Sequence, residues 1–183
     1  MSGSVVGKAQ GLHDACAEVA ATYDDSNRSD PWKGSAYEWI RNLSSRKKGA
    51  AGEKIVERWL SANGFTVQPP GSSEADRRVN GHPVEVKLST EWESGVFTFQ
   101  QLRDQEYTHV ILLGVRPSSL QLWCVPKAIV LQHATGQHTG GTATETMWLS
   151  FPADTPPEWL DGYGGSDAAA LASAATSFPA IES

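Results

Sequence analysis

The stretch Glu74-Ala75-Asp76-Arg77-Arg78-Val79-Asn80-Gly81-His82-Pro83-Val84-Glu85-Val86-Lys87 decides how this chain folds. Asn80-Gly81 between two short runs is the strongest short-range signal for a two-residue hairpin turn. Such a turn sets Val79 against His82, Arg78 against Pro83, Arg77 against Val84 and Asp76 against Glu85. Directly opposed residues have Cβ atoms roughly 4.5–5.5 Å apart, and Lys87 shares the face of Glu85 because side chains alternate along a strand. Two carboxylates and one ammonium group therefore converge. Like charges held so close repel each other, and a divalent cation with oxygen ligands is the most economical reason to keep them there. Pro83 does not break the hairpin. The closing pair Val79–His82 exchanges the hydrogen bonds, so the next pair asks for no N–H from the proline.

Outward from the hairpin, helical and strand patterns alternate. Residues 49 to 62 predict a helix whose buried stripe is Gly52, Val56, Trp59 and Leu60, with Glu53 at its margin, able to reach over the sheet. Strands are expected at 65–68, 75–79, 82–89, 108–115, 120–125 and 143–151, and further helices at 98–106 and 126–134. Thr108 to Val115 is nearly all apolar, as a strand covered on both faces should be, and is expected at the sheet centre. This order implies an α/β (α+β) domain with a mixed central sheet flanked by helices. Residues 1–45 read as an N-terminal helical arm, with helices over Leu12 to Thr22 and Ser35 to Asn42. Residues 46–151 form the core, and the Pro-, Gly- and Ala-rich residues 152–183 are expected to be a flexible tail.

Asp76, followed nine positions later by Glu85-Val86-Lys87, resembles the PD-(D/E)XK nuclease superfamily with its restriction-endonuclease-like fold. Gly49 to Leu60 is similar to that family's first core helix, which often carries a glutamate, here Glu53. Gly64-Phe65 and Pro70-Gly71-Ser72-Ser73 resemble the corresponding stretch of Holliday-junction resolvases within the family. Phe99-Gln100-Gln101-Leu102 opens the expected helix where many members place a glutamine near the site, which makes Gln100 a candidate. The likeness covers about residues 46 to 130, with Ala75 in place of the proline, at a position that is loose in the family. It implies an αβββαβ core and hydrolysis of DNA phosphodiesters. It also implies Mg2+, with Mn2+ able to substitute, held by Asp76, Glu85 and the backbone carbonyl of Val86. Lys87 would orient or deprotonate the attacking water, and Glu53 would bind a second ion or orient water. Restriction enzymes, structure-selective junction or repair nucleases and mobile-element nucleases share this core, and palindromic cutting would imply a homodimer.

Bulk composition is compatible with this. The 183 residues are 39% apolar and include 7 Trp, enough for one domain with a core. No run has the length of a membrane span, and the first residues lack the order of a signal peptide, so a cytoplasmic protein is expected. Cys16 and Cys124 have neither metal spacing nor a disulfide framework and read as reduced thiols. The net charge of −6 opposes nonspecific DNA affinity. The cations are concentrated, however: Arg41, Arg46, Lys47, Lys48, Lys54 and Arg58 surround the Glu53 helix, and Arg77 and Arg78 adjoin Asp76. Arg46, Lys47, Lys48, Arg77 and Arg78 are the candidate nucleic-acid contacts.

Each candidate also has a plainer reading. Glu85 and Lys87 fit the wet face of a half-exposed strand, Glu53 an acid favoured by the helix dipole, and Arg46-Lys47-Lys48 a solvated run. Gln100 and Gln101 fit the polar side of an amphipathic helix. Trp92, in the loop leaving the Glu85 strand, is a candidate for stacking on a nucleobase. His82 reads as a turn residue, and His133 and His138 lack the company a zinc site needs. A different class of function is a non-catalytic nucleic-acid or protein-binding module that keeps the nuclease fold. A third is a structural ion, or ion pairs of the acids with Arg77 and Arg78, in a protein unrelated to DNA.

Overall fold

A computed structural model describes residues 30–136 and 146–180. The expected helix over Leu12 to Thr22 and His138 lie outside the described residues. The Asn-Gly hairpin forms as expected. Asn80 and Gly81 both take positive φ, 46° and 82°, which is the backbone of a tight hairpin turn that few residues other than Asn and Gly tolerate. It joins β2 (Arg77–Val79) to β3 (His82–Thr90), with Arg77 opposite Val84, Arg78 opposite Pro83 and Val79 opposite His82.

The main sheet has six strands in the order β1-β2-β3-β5-β6-β9, formed with β1 (Val67–Gln68), β5 (His109–Val115), β6 (Leu120–Pro126) and β9 (Gly164–Gly165). Only β3 and β5 run parallel; the other neighbours are antiparallel. The apolar β5 is central, as its composition predicts. Ile111, Leu113 and Val115 face one side, with Val56 and Leu60 of α2 (Ser45–Ala62), while Val110 and Leu112 face the other. A three-stranded sheet, β4-β8-β7, covers that second side, together with α3 (Lys127–His133). Its strands are β4 (Val96–Leu102), β7 (Thr135–Gly136) and β8 (Met147–Pro152). The domain is thus α+β: a mixed, mostly antiparallel sheet with helices on its faces. Among the described residues, no helix is long and apolar enough to cross a membrane.

Glycine sets the distance between α2 and β3. A Cβ built on Gly52 would come within 2.9 Å of Leu88 Cβ, so only glycine allows this approach.

Three expectations are corrected. Residues 98–106 do not form a helix: Val96–Leu102 is strand β4, which pairs with β8. Phe97 and Phe99, both buried, sit two apart, the period of a strand. Residues 152–180 are not a loose tail. A 3-10 helix (Glu158–Tyr163), β9 and α4 (Asp167–Ser177) pack on the core and bury Leu160, Ala170, Ala174 and Phe178. Ala170 and Ala174 are small enough to let α4 lie close on β6, and Ser173 donates a hydrogen bond to the Cys124 carbonyl. Residues 30–45 do not stand apart as an arm, because Trp32 and Ile40, the latter on the short helix α1 (Glu38–Arg41), are buried in the same cluster as α2. Cys124 is buried, and burial pushes its thiol up to about 12, which leaves it inert.

Candidate active site

The site follows from a mismatch in strand length. β2 begins at Arg77, whereas β3 runs on to Thr90, so beyond Val84 one edge of β3 has no ladder partner among the described residues. Asp76 closes the ladder. Its N–H donates to the Val84 carbonyl at 2.9 Å, and its Oδ2 accepts the Val86 N–H at 2.8 Å. The N–H and C=O of one strand residue point to the same side, so the Val86 carbonyl opens onto this edge too. The strand register ends at Arg77–Val84, the Asp76 N–H being the last main-chain donor to β3 on this edge, and Asp76 reaches Glu85 through its side chain rather than as the next ladder pair.

Glu85 is 8% exposed, and Lys87 Nζ stands 2.6 Å from its Oε1. Burial raises the Glu85 carboxyl above its ordinary value, Lys87 pulls it back, and the charge and hydrogen bond of Asp76 raise it further. Tyr107, which no sequence pattern singles out, closes the buried side. Its hydroxyl is held neutral by burial and then by the Glu85 charge, and it donates to the Arg103 carbonyl. Its place beyond β4 carries no motif by which to find it.

Glu53 reaches the same place from α2. Burial, then Asp76, raises its carboxyl, and Arg77 opposes this from 2.9 Å. Arg77 also holds Glu57 at 3.0 Å and donates to the Asp76 carbonyl, while Arg78 donates to the Gly81 carbonyl. Both guanidinium groups thus make hydrogen bonds within the protein, and both side chains remain partly exposed.

A cavity of about 750 Å³ lies over this edge and is lined by Glu53, Asp76, Val86, Lys87 and Gln100, with Arg46 and Lys48 at the first turn of α2. Lys47 is exposed beside them. Gln100 and Gln101 come from a strand rather than from the expected helix. The β4–β8 pairing slips between Phe99 and Leu102, and Gln101 takes a φ of +57°, so both glutamines turn outward toward the cavity. Buried Ser89 accepts the Thr98 N–H at 2.8 Å and ties β4 to β3. It is a supporting residue legible only as the next position on the Glu85–Lys87 face.

The donor chemistry here is that of a hard, oxygen-seeking cation: two carboxylates and one main-chain carbonyl. No group of three or more His, Cys, Asp or Glu suited to a metal occurs among the described residues. A cation bound here would complete its shell with water or substrate oxygens. Mg2+ fits that description, since it keeps several waters and binds through one or two carboxylates.

No family model matches the chain, and no curated protein matches it. Among solved structures it is similar to that of a bacterial homing endonuclease, at 15% identity and a TM-score of 0.46 over 71% of this chain and 91% of that one. So slight a likeness says nothing about function, and the functional reading rests on the geometry of the site alone.

Proposed function

We propose that the protein is a Mg2+-dependent endodeoxyribonuclease of the PD-(D/E)XK type, acting in restriction or in another defence or repair role. The observation that carries this reading is the meeting of Asp76, Lys87 and the Val86 carbonyl at one open sheet edge that lines a cavity, with buried Glu85 paired to Lys87 just behind it. Neighbouring carboxylates with a raised acid among them are costly in a fold that gains nothing from them. Asp76, Glu85 and the Val86 carbonyl would hold Mg2+, or Mn2+ in its place. When bound, such an ion polarises a phosphoryl oxygen and lowers the pKa of its water.

The chain's own groups supply the rest. Lys87 would orient the attacking water and donate to the charge that builds on the phosphate. Glu53 stands beside Asp76 and would orient water after release from Arg77. Gln100 approaches from the β4 side and would position a phosphate oxygen. Arg46, Lys47 and Lys48 would meet the DNA backbone at the start of α2, and a homodimer would serve palindromic cutting.

One observation favours a second reading, a binding module with no catalysis: Glu85 is ion-paired to Lys87 and Glu53 to Arg77, so both acids have partners within the protein. Supercoiled plasmid, linear duplex and a branched junction incubated with the protein in Mg2+, Mn2+ or EDTA distinguish the two. Metal-dependent cutting that Asp76→Ala abolishes is the nuclease outcome. Binding without cutting on every substrate is that of the module.

A further inference from the structure

Three cavities join end to end beside the site, and Trp92 lines all of them. The first is the site cavity; the second, of about 510 Å³, runs over Arg41, Lys48 and Thr90; the third, of about 750 Å³, lies over Trp32, Arg41 and Arg116. Trp92 is 50% exposed, yet its backbone is fixed. Its N–H donates to the Val96 carbonyl and its carbonyl accepts the Gly95 N–H, both at 2.9 Å, in a turn that Gly95 permits with a φ of +74°. The preceding residue is anchored as well. Glu91 donates its N–H to the Val115 carbonyl at 2.8 Å, and its carboxylate takes two hydrogen bonds from Arg116 at 3.1 and 3.2 Å. A large aromatic ring kept in water on an immobilised turn is preorganised for a flat partner, because little ordering remains to be done on binding. Trp39 is exposed to a similar degree but lines none of these cavities.

The charges select the partner. The acids around Trp92 are met by arginines: Glu91 by Arg116, Asp30 by Arg41 at 2.8 Å, and Glu93 by Arg41 at 3.9 Å. Lys48 lines both the site cavity and the middle one and makes no ion pair among the described residues. Burial, then the nearby Arg41 charge, lowers its pKa, a strain that an anion would relieve. An exposed indole beside a cation without a partner suits a base and its phosphate.

We propose that Trp92 and Lys48 form a subsite for one unpaired nucleotide of the bound strand, its base stacked on the indole and its phosphate held by the ammonium group. This rests on the nucleic-acid reading above and extends it: the substrate carries an unstacked nucleotide near the cut. Trp92 lies five residue steps of nearly extended chain beyond Lys87, roughly 16 Å. That span is about five base steps of a stacked strand, and fewer nucleotides of an extended one.

The test uses the full chain carrying Asp76→Asn, which retains an acceptor for the Val86 N–H and removes the carboxylate. Duplex oligonucleotides with a single unpaired 2-aminopurine, moved stepwise across the central positions, are titrated with this protein in Mg2+. Fluorescence quenching at one or two neighbouring positions is expected. Adding Trp92→Ala should abolish it and weaken binding about 5- to 100-fold, and Trp92→Phe should restore most of it. Lys48→Ala should lower the slope of log K against log salt by about one. Quenching unaltered by Trp92→Ala, or equal affinity for paired and unpaired substrates, would overturn the subsite while metal-dependent cutting by the parent protein leaves the nuclease reading standing. Trp92-dependent quenching in a protein that cuts nothing would keep the subsite and remove the nuclease reading. Half-exposed Trp92 is peripheral to the core, and matching melting curves establish that the variants fold.

Discussion

Arg77 Nη1 lies 2.9 Å from the Glu53 carboxylate, and through this pair helix α2 is fastened to the start of β2, next to Asp76. Arg77→Ala should therefore cost about 1–2 kcal/mol in stability, a charged hydrogen bond discounted for partial exposure. It also removes the group that pulls Glu53 down, so the Glu53 carboxyl should titrate at higher pH in the variant. Carbon-detected NMR of the glutamate carboxyls checks this, and an unmoved Glu53 would mean the pair is not made in solution.

A cation held by Asp76 and Glu85 should raise the melting temperature. Ligand at 100 times its dissociation constant adds about 2.7 kcal/mol to stability. Thermal melts with Mg2+ and Mn2+ should move upward in the parent protein and stay put in Asp76→Asn and in Glu85→Gln. Equal shifts in all three would place the ion elsewhere.

Gly52 permits the close packing of α2 on Leu88, where an added Cβ would stand 2.9 Å from Leu88 Cβ. Gly52→Val should destabilise the fold by about 1–3 kcal/mol through overpacking, despite removing a helical glycine. Denaturant melts measure this. The variant should also lose cutting activity beyond its loss of folded protein, since Glu53 is the next residue on α2.

His109 contributes to the pH dependence of stability. Its ring packs 5.1 Å from Phe178, close to Thr108 Oγ1 at 3.0 Å, and burial, then the charge of His82, lowers its pKa from 6.5. A histidine whose folded pKa is depressed favours the folded state when neutral. Its contribution is complete above the unfolded value of about 6.5 and is lost as pH falls through the lower folded value. Chemical denaturation across that range should show the parent losing more stability with acidity than His109→Gln, the raised Glu85 and Glu53 carboxyls acting in the opposite sense in both proteins. Equal slopes in parent and variant would refute the assignment.

The parts of this fold that were legible in the sequence are those where one local preference dominates. Asn80-Gly81 needs positive φ at both positions, and few other dipeptides accept it, so the register from Val79 to Arg77 could be counted outward. Helix α2 declared itself by its apolar stripe. β4 did not, because Phe97 and Phe99 with Leu102 can be fitted to either period, and the slip that turns Gln100 and Gln101 outward arises from pairing with β8, some fifty residues away. The C-terminal helix was hidden by its alanines, whose burial depends on how closely β6 approaches rather than on their own hydrophobicity. Asn80 Nδ2 donates to the Phe178 carbonyl across 98 positions, a contact no local pattern announces. Within the site, Asp76, Glu85 and Lys87 emerged from hairpin counting. The pairing of Arg77 with Glu53 and Glu57, 24 and 20 positions away, required tertiary geometry.

Single-turnover cutting of supercoiled plasmid by Lys87→Ala, beside the parent protein in Mg2+, decides whether the open edge of β3 is a catalytic centre. Loss of Lys87 leaves both carboxylates and the Val86 carbonyl in place. A fall of at least about 100-fold, with unchanged melting and retained DNA binding, is expected if its ammonium stabilises the developing charge. Cutting at the parental rate would contradict the assignment of Lys87 and, with it, the nuclease reading of the site.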